Sequence, residues 1–286
     1  MKQAHKPVPG PARIGVCLIA ALNFGTACAS DAVVLPLRAS AESRQQTNPL
    51  AAIEVNVMLD AGRRALTSKD YVVAHRWLAD AARLGHAEAQ TSLGRLYANG
   101  LGVARDDELA LVWFERAAEQ GDVAALRNLA VMYRDGRGVD RNAAAAAKWF
   151  RKAALEGDAL AQDSLGLLFQ DGVGVETDEV EAVWWFRKAA VQGNPDAQTH
   201  LGLMLWDGRG ARRDDAEALL WFKKAAQLGS AVAQYYFGVG LAEGRGAAPD
   251  SEGAVKWLTI AARQNVEMAR DYLWTHGNIS VDSEFE

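Results

Sequence analysis

Apolar residues recur along most of the chain at the spacing of amphipathic helices, and the segment from His86 to Gly121 is representative. Its first half carries apolar residues at i, i+4, i+7 and i+8, which places them on one face of a helix. These residues are Ala89, Leu93, Leu96 and Tyr97. The second half has the same character in Ala110, Trp113, Phe114, Ala117 and Ala118. The segment therefore predicts two helices, separated by a Gly100-Leu101-Gly102 loop whose first glycine can take the left-handed conformation that ends a helix.

This two-helix pattern repeats every 36 residues. Six tryptophans keep that interval without a slip: Trp77, Trp113, Trp149, Trp185, Trp221 and Trp257. A glycine keeps it at 85, 121, 157, 193 and 229, and Ala-Ala pairs and Gly-x-Gly loops follow in the same register. Four markers in one register predict an array of helix-turn-helix units.

Residues that cap helices stand at the predicted helix starts. Seven residues before each tryptophan is a side chain that can accept from the free N–H groups of the second helix: Asp70, Asp106, Asn142, Asp178, Asp214 and Asp250. The first helices have Asp122, Asp158, Asn194 and Ser230 at the corresponding place. Glu181 and Glu217 follow their aspartates by three residues, which predicts two capping boxes.

A helical hairpin of this length cannot cover its own apolar face, so successive units must stack. The recurring tryptophans are predicted to fill the core between helices, where an indole buries roughly 150–250 Å². On this basis Trp149→Ala should cost about 3–5 kcal/mol of stability. The paired alanines permit close approach of the helices.

The residues also carry a family resemblance. The pattern A-x-A-Q-x-x-L-G-x-x-Y/F-x-x-G-x-G-V, then D, then A-x-x-W-F-x-x-A-A-x-x-G, runs from Ala87 to Gly121 and again from Ala159 to Gly193. It resembles the Sel-one-like repeat, a relative of the tetratricopeptide repeat. The resemblance implies an all-α fold, a right-handed α/α superhelical solenoid of 36-residue helix-turn-helix repeats, with the first helices along the concave side. It also implies an adaptor role in macromolecular complexes.

The predicted solenoid spans 49–275. It comprises a degenerate first unit (49–85), five full units (86–121, 122–157, 158–193, 194–229, 230–265) and a capping helix (266–275). An acidic tail follows at 276–286.

The N-terminus has the pattern of an export signal. A basic leader precedes the apolar run Ile14 to Leu22, and Ala27-Cys28-Ala29 offers small residues to a signal peptidase. Nine apolar residues are too few for a membrane-spanning helix. We therefore expect a cleaved signal peptide at 1–29, a flexible spacer at 30–48 and a periplasmic location. A lipid anchor at Cys28 is disfavoured because Gly25 stands where a bacterial lipobox has leucine.

Composition narrows the classes of function. The 31 Lys+Arg are outnumbered by 36 Asp+Glu, giving a net charge of −5, so the basic excess of nucleic-acid binders is missing. Cys17 and Cys28 are the only cysteines, which leaves the body without a disulfide framework or thiolate metal site. Some cysteine-rich exported members of the resembled family are linked to β-lactam binding and hydrolysis. They have cysteines in every repeat, and this chain does not.

No catalytic, cofactor or metal site is predicted. The Gly-x-Gly loops lack the third glycine and the preceding strand of a dinucleotide fingerprint. The five histidines never share a helix face at metal-ligand spacing. Motifs such as Gly-x-Ser-x-Gly, His-Glu-x-x-His and Ser-x-x-Lys do not occur.

Positions that depart from the repeat pattern are free to recognise a partner. On the first helices of the C-terminal half these positions become aromatic, and tyrosine and tryptophan are common at binding hot spots. The candidate partner-binding residues are His200, Leu203, Trp206, Tyr235, Tyr236, Val239 and Tyr272, with Arg127 and Arg134 in an earlier unit. Arg137, Arg209 and Arg245 lie inside Gly-x-Gly loops along one edge; they are interpreted as solvated, with contact to an acidic segment as the alternative.

These features predict an exported, non-catalytic repeat protein that binds a protein partner through its concave surface, without nucleic acid, metal or cofactor. Membrane contact is expected only through the signal peptide. Two alternatives remain open. One is an envelope scaffold for polysaccharide secretion or peptidoglycan contact, with Trp206, Tyr235, Tyr236 and Trp184 as stacking surfaces. The other is hydrolysis of β-lactams.

Overall fold

The computed structural model of this protein describes residues 49–277, with side chains from 54 to 276. The described residues form thirteen α-helices and no strand. The helices are α1 (Pro49–Thr67), α2 (Tyr71–Arg83), α3 (Ala87–Asn99), α4 (Asp107–Glu119), α5 (Val123–Asp135), α6 (Ala143–Leu155), α7 (Ala159–Asp171), α8 (Glu179–Val191), α9 (Pro195–Asp207), α10 (Asp215–Gln227), α11 (Ala231–Glu243), α12 (Ser251–Arg263) and α13 (Glu267–Gly277). The predicted signal peptide (1–29), the spacer (30–48) and residues 278–286 of the predicted tail lie outside the described residues.

Consecutive helices pack against each other along the whole array. Odd-numbered first helices pair with the even-numbered second helices that follow, and each second helix packs on the first helix of the next unit. Helix α13 packs on α12. The predicted all-α solenoid of 36-residue units is therefore confirmed.

The predicted caps start the helices as expected. Each of the predicted cap side chains accepts a hydrogen bond from the backbone N–H three residues on. The first glycine of every Gly-x-Gly loop ends its helix with φ between 65° and 71°.

The two predicted capping boxes are wrong, because the N–H groups of Asp178 and Asp214 already donate to carbonyls of the preceding helix. The carboxylates of Glu181 and Glu217 instead accept from the indole N–H groups of Trp185 and Trp221, at 3.0 and 3.1 Å.

The innermost position of each unit lies one residue after the tryptophan. Phe114, Phe150, Phe186 and Phe222 are at most 2 % exposed. Trp113, Trp185 and Trp221 are also buried, but Trp149 and Trp257 are half-buried. Trp77 is 40 % exposed, so the prediction that every tryptophan fills the core is wrong there. The reason is that the tryptophans pack toward the preceding unit: Trp113 clusters with residues of α1 to α3, and Trp77 belongs to the first unit described.

The second glycine of each loop is needed for contact between units. A Cβ atom on Gly138 would collide with the carbonyl group of Asp107, at the start of the preceding second helix. The same collision arises at the equivalent glycines Gly102, Gly174, Gly210 and Gly246, all of which have positive φ. Helix termination alone therefore does not account for the Gly-x-Gly pattern, since its second glycine lets two backbones meet.

Buried glutamines connect successive units. The Nε2 atoms of Gln90, Gln162, Gln198 and Gln234 donate to the carbonyl eight residues earlier, in the preceding second helix. In three of these units the Oε1 atom accepts from a second glutamine thirty residues on, at 2.7–2.8 Å. Leu228 stands at that place for Gln198, whose Oε1 accepts no hydrogen bond from the described residues. One junction therefore leaves a buried acceptor unsatisfied.

We expect Leu228→Gln to stabilise the protein by about 1 kcal/mol, because it supplies a donor to a buried acceptor and removes an exposed leucine. Chemical denaturation followed by circular dichroism measures the change. The reciprocal variant Gln192→Leu removes the donor of Gln162 and should destabilise by a similar amount. An unchanged unfolding midpoint for Leu228→Gln would contradict the proposed role of the glutamine pairs.

Candidate protein-binding surface

Three tyrosines on the last two first helices form one partly exposed cluster. The ring centroids of Tyr235 and Tyr236 are 5.1 Å apart, in an edge-to-face arrangement. Tyr235 and Tyr272 both pack on the core cluster around Val239, and all three tyrosines are half-buried. We call Tyr235, Tyr236 and Tyr272 the tyrosine cluster. It brings together three of the residues that the sequence suggested for partner binding.

The hydroxyl groups of the tyrosine cluster remain hydrogen-bond donors over the physiological range. Burial raises the pKa of Tyr235, Tyr236 and Tyr272. Nearby carboxylates raise these pKa values further, Asp207 acting on Tyr236 and Glu243 on the other two. The cluster therefore offers apolar rings with protonated hydroxyls beside two carboxylates.

Two of the candidates, Trp206 and Val239, are buried, which corrects their expected place on the surface. Trp206 is 5 % exposed and Val239 is 8 % exposed. The indole of Trp206 packs against Phe222 and Tyr236, with ring centroids 5.8 and 6.4 Å apart. The guanidinium of Arg245 covers it, with Cζ 3.4 Å from the ring centroid. Trp206 can support the tyrosine cluster from below but presents almost no surface of its own.

The remaining candidates lie on neighbouring helices. Leu203 is half-buried on α9. His200 Nδ1 lies 2.8 Å from the Oδ1 atom of the buried Asp163 on α7, and its ring packs on Phe186 at 5.1 Å. His200 therefore joins two first helices, and no contact places it in the tyrosine cluster.

Arg127 and Arg134 are held by carboxylates. Arg127 Nη1 donates to the cap residue Asp158 at 2.5 Å, and Arg134 Nε donates to Asp135 at 2.7 Å. Both arginine side chains are partly exposed, so a partner could contact them, but only as ion pairs with Asp158 and Asp135. That these arginines bind a partner stays a prediction.

Trp184, part of the polysaccharide hypothesis, lies on second helix α8 and is 46 % exposed. Lys188 Nζ stands 4.4 Å from its ring centroid, and Trp185 packs against its edge. The ring of Trp184 is thus in contact with residues of its own helix. It belongs to an earlier unit than the tyrosine cluster.

The C-terminal first helices are acidic. Helices α9, α11 and α13 contain five carboxylates, Asp196, Asp207, Glu243, Glu267 and Asp271, and one arginine, Arg270. Helices α3 and α5 contain both signs in near balance. A partner segment at the tyrosine cluster therefore meets a negative surface.

The loop arginines bind carboxylates of the preceding unit, which corrects the interpretation of Arg137 and Arg245 as solvated, whereas the side chain of Arg209 is 44 % exposed. Each reaches the first residue of the preceding second helix, thirty residues earlier: Arg137 binds Asp107, Arg209 binds Glu179 and Arg245 binds Asp215. In the other two loops neither of the two equivalent positions is charged: they hold Leu101 and Tyr71 in one case, and Val173 and Ala143 in the other. This matched variation at i and i+30 is a signal in the sequence that becomes visible only when successive units are compared.

Asp215 makes stability at this junction depend on pH. Hydrogen bonds from Arg213 and Arg245 hold its pKa well below the ordinary value of a carboxyl. A lowered pKa stabilises the fold above the unfolded-state pKa of about 3.9, and this contribution is lost as the pH falls toward the folded-state pKa. We expect Asp215→Asn to be less stable than the natural chain at pH 7, and the difference to shrink progressively as the pH falls below about 4. Denaturation at a series of pH values measures it, and a constant difference would contradict the assignment.

The described residues contain no group of three or more histidine, cysteine or acidic side chains arranged to hold a metal ion. Within 49–277, none of the helices has the length and apolar character to cross a bilayer.

Comparisons with known proteins agree with this architecture. A family model described as Sel1 repeat matches six segments: 57–86, 87–122, 123–158, 159–194, 195–230 and 231–266. The crystal structure of c5321, a protective antigen in uropathogenic Escherichia coli strains displaying an SLR fold, matches with a TM-score of 0.73 and 29 % identity over 80 % of this chain. A Sel1 repeat protein from Oxalobacter formigenes matches with a TM-score of 0.70 and 31 % identity, over 76 % of this chain and 86 % of that one.

A more distant structure, the immunity protein PA5088 from Pseudomonas aeruginosa, shares the fold with a TM-score of 0.51 and 19 % identity, over 73 % of this chain and 82 % of that one. The present chain spans about half of the c5321 antigen, 51 % of its length. Among curated protein sequences, none matches this chain. Six matched repeats across most of the solenoid establish the relationship: the chain belongs to the Sel1 repeat family, whose members are typically scaffolds for protein–protein interaction.

Proposed function

We propose that this protein is an exported, periplasmic adaptor without catalytic activity, which binds a protein partner at the tyrosine cluster. The observation that carries the proposal is the grouping of half-buried Tyr235, Tyr236 and Tyr272 on successive first helices: the rings of Tyr235 and Tyr236 are in contact, and Tyr235 and Tyr272 pack on the same core cluster. Aromatic rings held in place lose little entropy on binding and supply large contact area, which is why tyrosine is enriched at hot spots.

The support beneath the cluster favours a rigid binding surface. The ring of Tyr236 stacks on buried Phe222 at a centroid distance of 5.2 Å, and Trp206 packs against both. Since these rings are already in place in the free protein, binding does not have to order them.

The chemistry of the cluster selects the kind of partner. Protonated tyrosine hydroxyls and the neighbouring Asp207 and Glu243 suit a segment that combines apolar side chains with lysine or arginine. The five carboxylates on α9, α11 and α13 would steer such a segment toward this half of the solenoid.

Export is supported by the sequence alone. The basic leader, the apolar run Ile14 to Leu22 and the Ala27-Cys28-Ala29 site have the order of a signal peptide. Sequencing the N-terminus of the protein from a periplasmic fraction tests this part. A new terminus at Ser30 supports cleavage after Ala29, and an intact protein in the cytoplasmic fraction would contradict export.

Binding is tested by placing a photo-crosslinking phenylalanine analogue at Tyr235 and, as a matched control, at Leu220. Leu220 is 61 % exposed and lies on second helix α10. We expect a specific crosslinked protein from position 235 and none from position 220. Crosslinking from position 220 alone would place the interface on the opposite helices and contradict the proposal.

The identified partner then allows a quantitative prediction. Tyr235→Ala combined with Tyr272→Ala should weaken its binding to the purified protein at least tenfold, because hot-spot truncations cost about 2 kcal/mol or more each. Leu220→Ala should leave the dissociation constant unchanged. Calorimetry measures both, and circular dichroism checks that helix content is retained. Unchanged affinity in the double variant would move the binding site elsewhere.

A further inference from the structure

At each junction before the last, one of two positions supplies a buried side chain: Met132, Leu168, Met204 or Trp206. The first is represented by Trp206 on α9, and the second, thirty-four residues later, by Gly240 on α11. A Cβ atom on Gly240 would collide with Cδ1 of Leu219 and already touch Cη2 of Trp206 at 3.5 Å, so a longer side chain has no space beside the indole. In the first full unit the sizes are reversed, since Ala98 is followed by Met132, which is 2 % exposed. One member of the pair fills the junction in both cases.

The surroundings of Trp206 define the shape of an occupied junction. Its indole lies against Phe222 and Tyr236, with Gly240 behind it and Arg245 above it. The equivalents of the first three, thirty-six residues on, are Leu258, Tyr272 and His276.

At the last junction, neither of the two positions holds a side chain that fills the space between the units. Ala242 takes the place of Trp206, and His276 takes the place of Gly240. The His276 ring does not turn inward: it is exposed and stacks on Tyr272, with centroids 4.2 Å apart and planes at 17°. A cleft of about 230 Å³ results, which we call the C-terminal cleft; its lining includes Ala242, Val255, Leu258, Tyr272, Leu273 and His276.

We propose that the C-terminal cleft receives an aromatic side chain of the protein partner, in the position that Trp206 occupies one unit earlier. This inference rests on the proposed function, and it names the chemistry by which the partner is held. The cleft has the volume for such a ring, since an apolar cavity of roughly 150 Å³ already binds benzene. Four of its lining positions are equivalent to residues in contact with, or immediately around, the indole of Trp206: Val255, Leu258, Tyr272 and His276.

The cleft is continuous with the tyrosine cluster, because Tyr272 belongs to both. A partner segment lying across Tyr235 and Tyr272 would therefore bring one of its side chains to the mouth of the cleft. Val255 is 38 % exposed at this site, so part of the apolar lining is open to a ligand.

The test uses N-acetyl-L-tryptophanamide as a probe of the cleft, independently of any partner. We expect saturable binding to the full chain, seen as chemical-shift changes in a ligand-observed nuclear magnetic resonance titration. Ala242→Trp should weaken this binding at least tenfold, since the new indole occupies the cleft as Trp206 occupies the previous junction. Ala144→Trp is the matched control, because Ala144 is exposed on α6, far along the array, and should leave binding unchanged.

Two further measurements keep the proposal open to failure. Val255→Arg places a charged side chain in the cleft and should weaken the binding of N-acetyl-L-tryptophanamide. It tests the cleft even if the Ala242→Trp variant does not fold. Absence of binding to the full chain, or equal binding by the Ala242→Trp variant, overturns the proposal. Binding only after deletion of residues 278–286, or a dimer that Ala242→Trp converts to a monomer, also overturns it by assigning the cleft to the chain's own tail or to a second copy. None of these results alters crosslinking at Tyr235, so failure of the cleft and failure of the proposed function are distinguishable.

Discussion

Phe150→Ala should lower the free energy of unfolding by about 3–5 kcal/mol, the range for removing a fully buried aromatic side chain. The ring of Phe150 has no exposed surface and belongs to the largest core cluster of the array. Truncation leaves a cavity between helices that are anchored on both sides, so the site cannot collapse easily. Urea denaturation followed by circular dichroism at 222 nm measures the change.

The adjacent Trp149 provides the matched comparison. Its ring is half-buried, and Lys152 Nζ stands 4.1 Å from the ring centroid. Trp149→Ala should therefore cost about 1–2 kcal/mol, since much of the indole surface is already in contact with water or a lysine stem. This replaces the larger loss of about 3–5 kcal/mol that the repeat pattern suggests. A greater loss for Trp149→Ala than for Phe150→Ala would contradict the structural assignment of the innermost position.

Gly138→Ala should destabilise the protein by about 2–5 kcal/mol, combining the cost of a left-handed alanine with that of overpacking. Gly138 has a φ of 66°, and a Cβ atom there would collide with the carbonyl group of Asp107. The loop must then move away from the preceding unit, which also strains the hydrogen bond from Arg137 to Asp107. Differential scanning calorimetry gives the shift in melting temperature.

Gly121→Ala separates the two contributions. Gly121 also has a positive φ, 82°, but a Cβ atom there meets nothing within 4 Å. Only the conformational cost remains, roughly 1–2 kcal/mol. Equal losses from the two substitutions would show that the second loop glycine is required for its dihedral angles and not for contact between units.

The sequence predicted the features that depend on local chemistry. Caps such as Asp106 and helix-ending glycines such as Gly100 act within one or two turns, so their residue type and position are sufficient evidence. The 36-residue period then extended one unit to the whole array. The all-α repeat fold followed from these two observations.

The contacts between units were harder to predict, because they depend on which helix ends meet. The pairing of Arg137 with Asp107 becomes visible only when residues thirty apart are compared across all units. The burial of Trp206 has the same origin: its variable position suggested a free surface, whereas the missing side chain of Gly240 allows the indole to turn inward. At the candidate site, the tyrosines could be named from sequence, but the ring contact of Tyr235 with Tyr236 and the core cluster that Tyr235 shares with Tyr272 could not.

The compensating pairs also bear on how such a protein can change its length during evolution. Tandem duplication of residues 194–229 would keep an arginine opposite a carboxylate at each new loop, as Arg209 and Asp215 would meet. The same duplication would set a second Met204 opposite Trp206, where Gly240 now leaves room. This duplication would therefore call for a second, compensating mutation where the copied Met204 meets Trp206. Although every unit has the same length, the units cannot be exchanged freely, because the residues at each junction match those of the neighbouring unit.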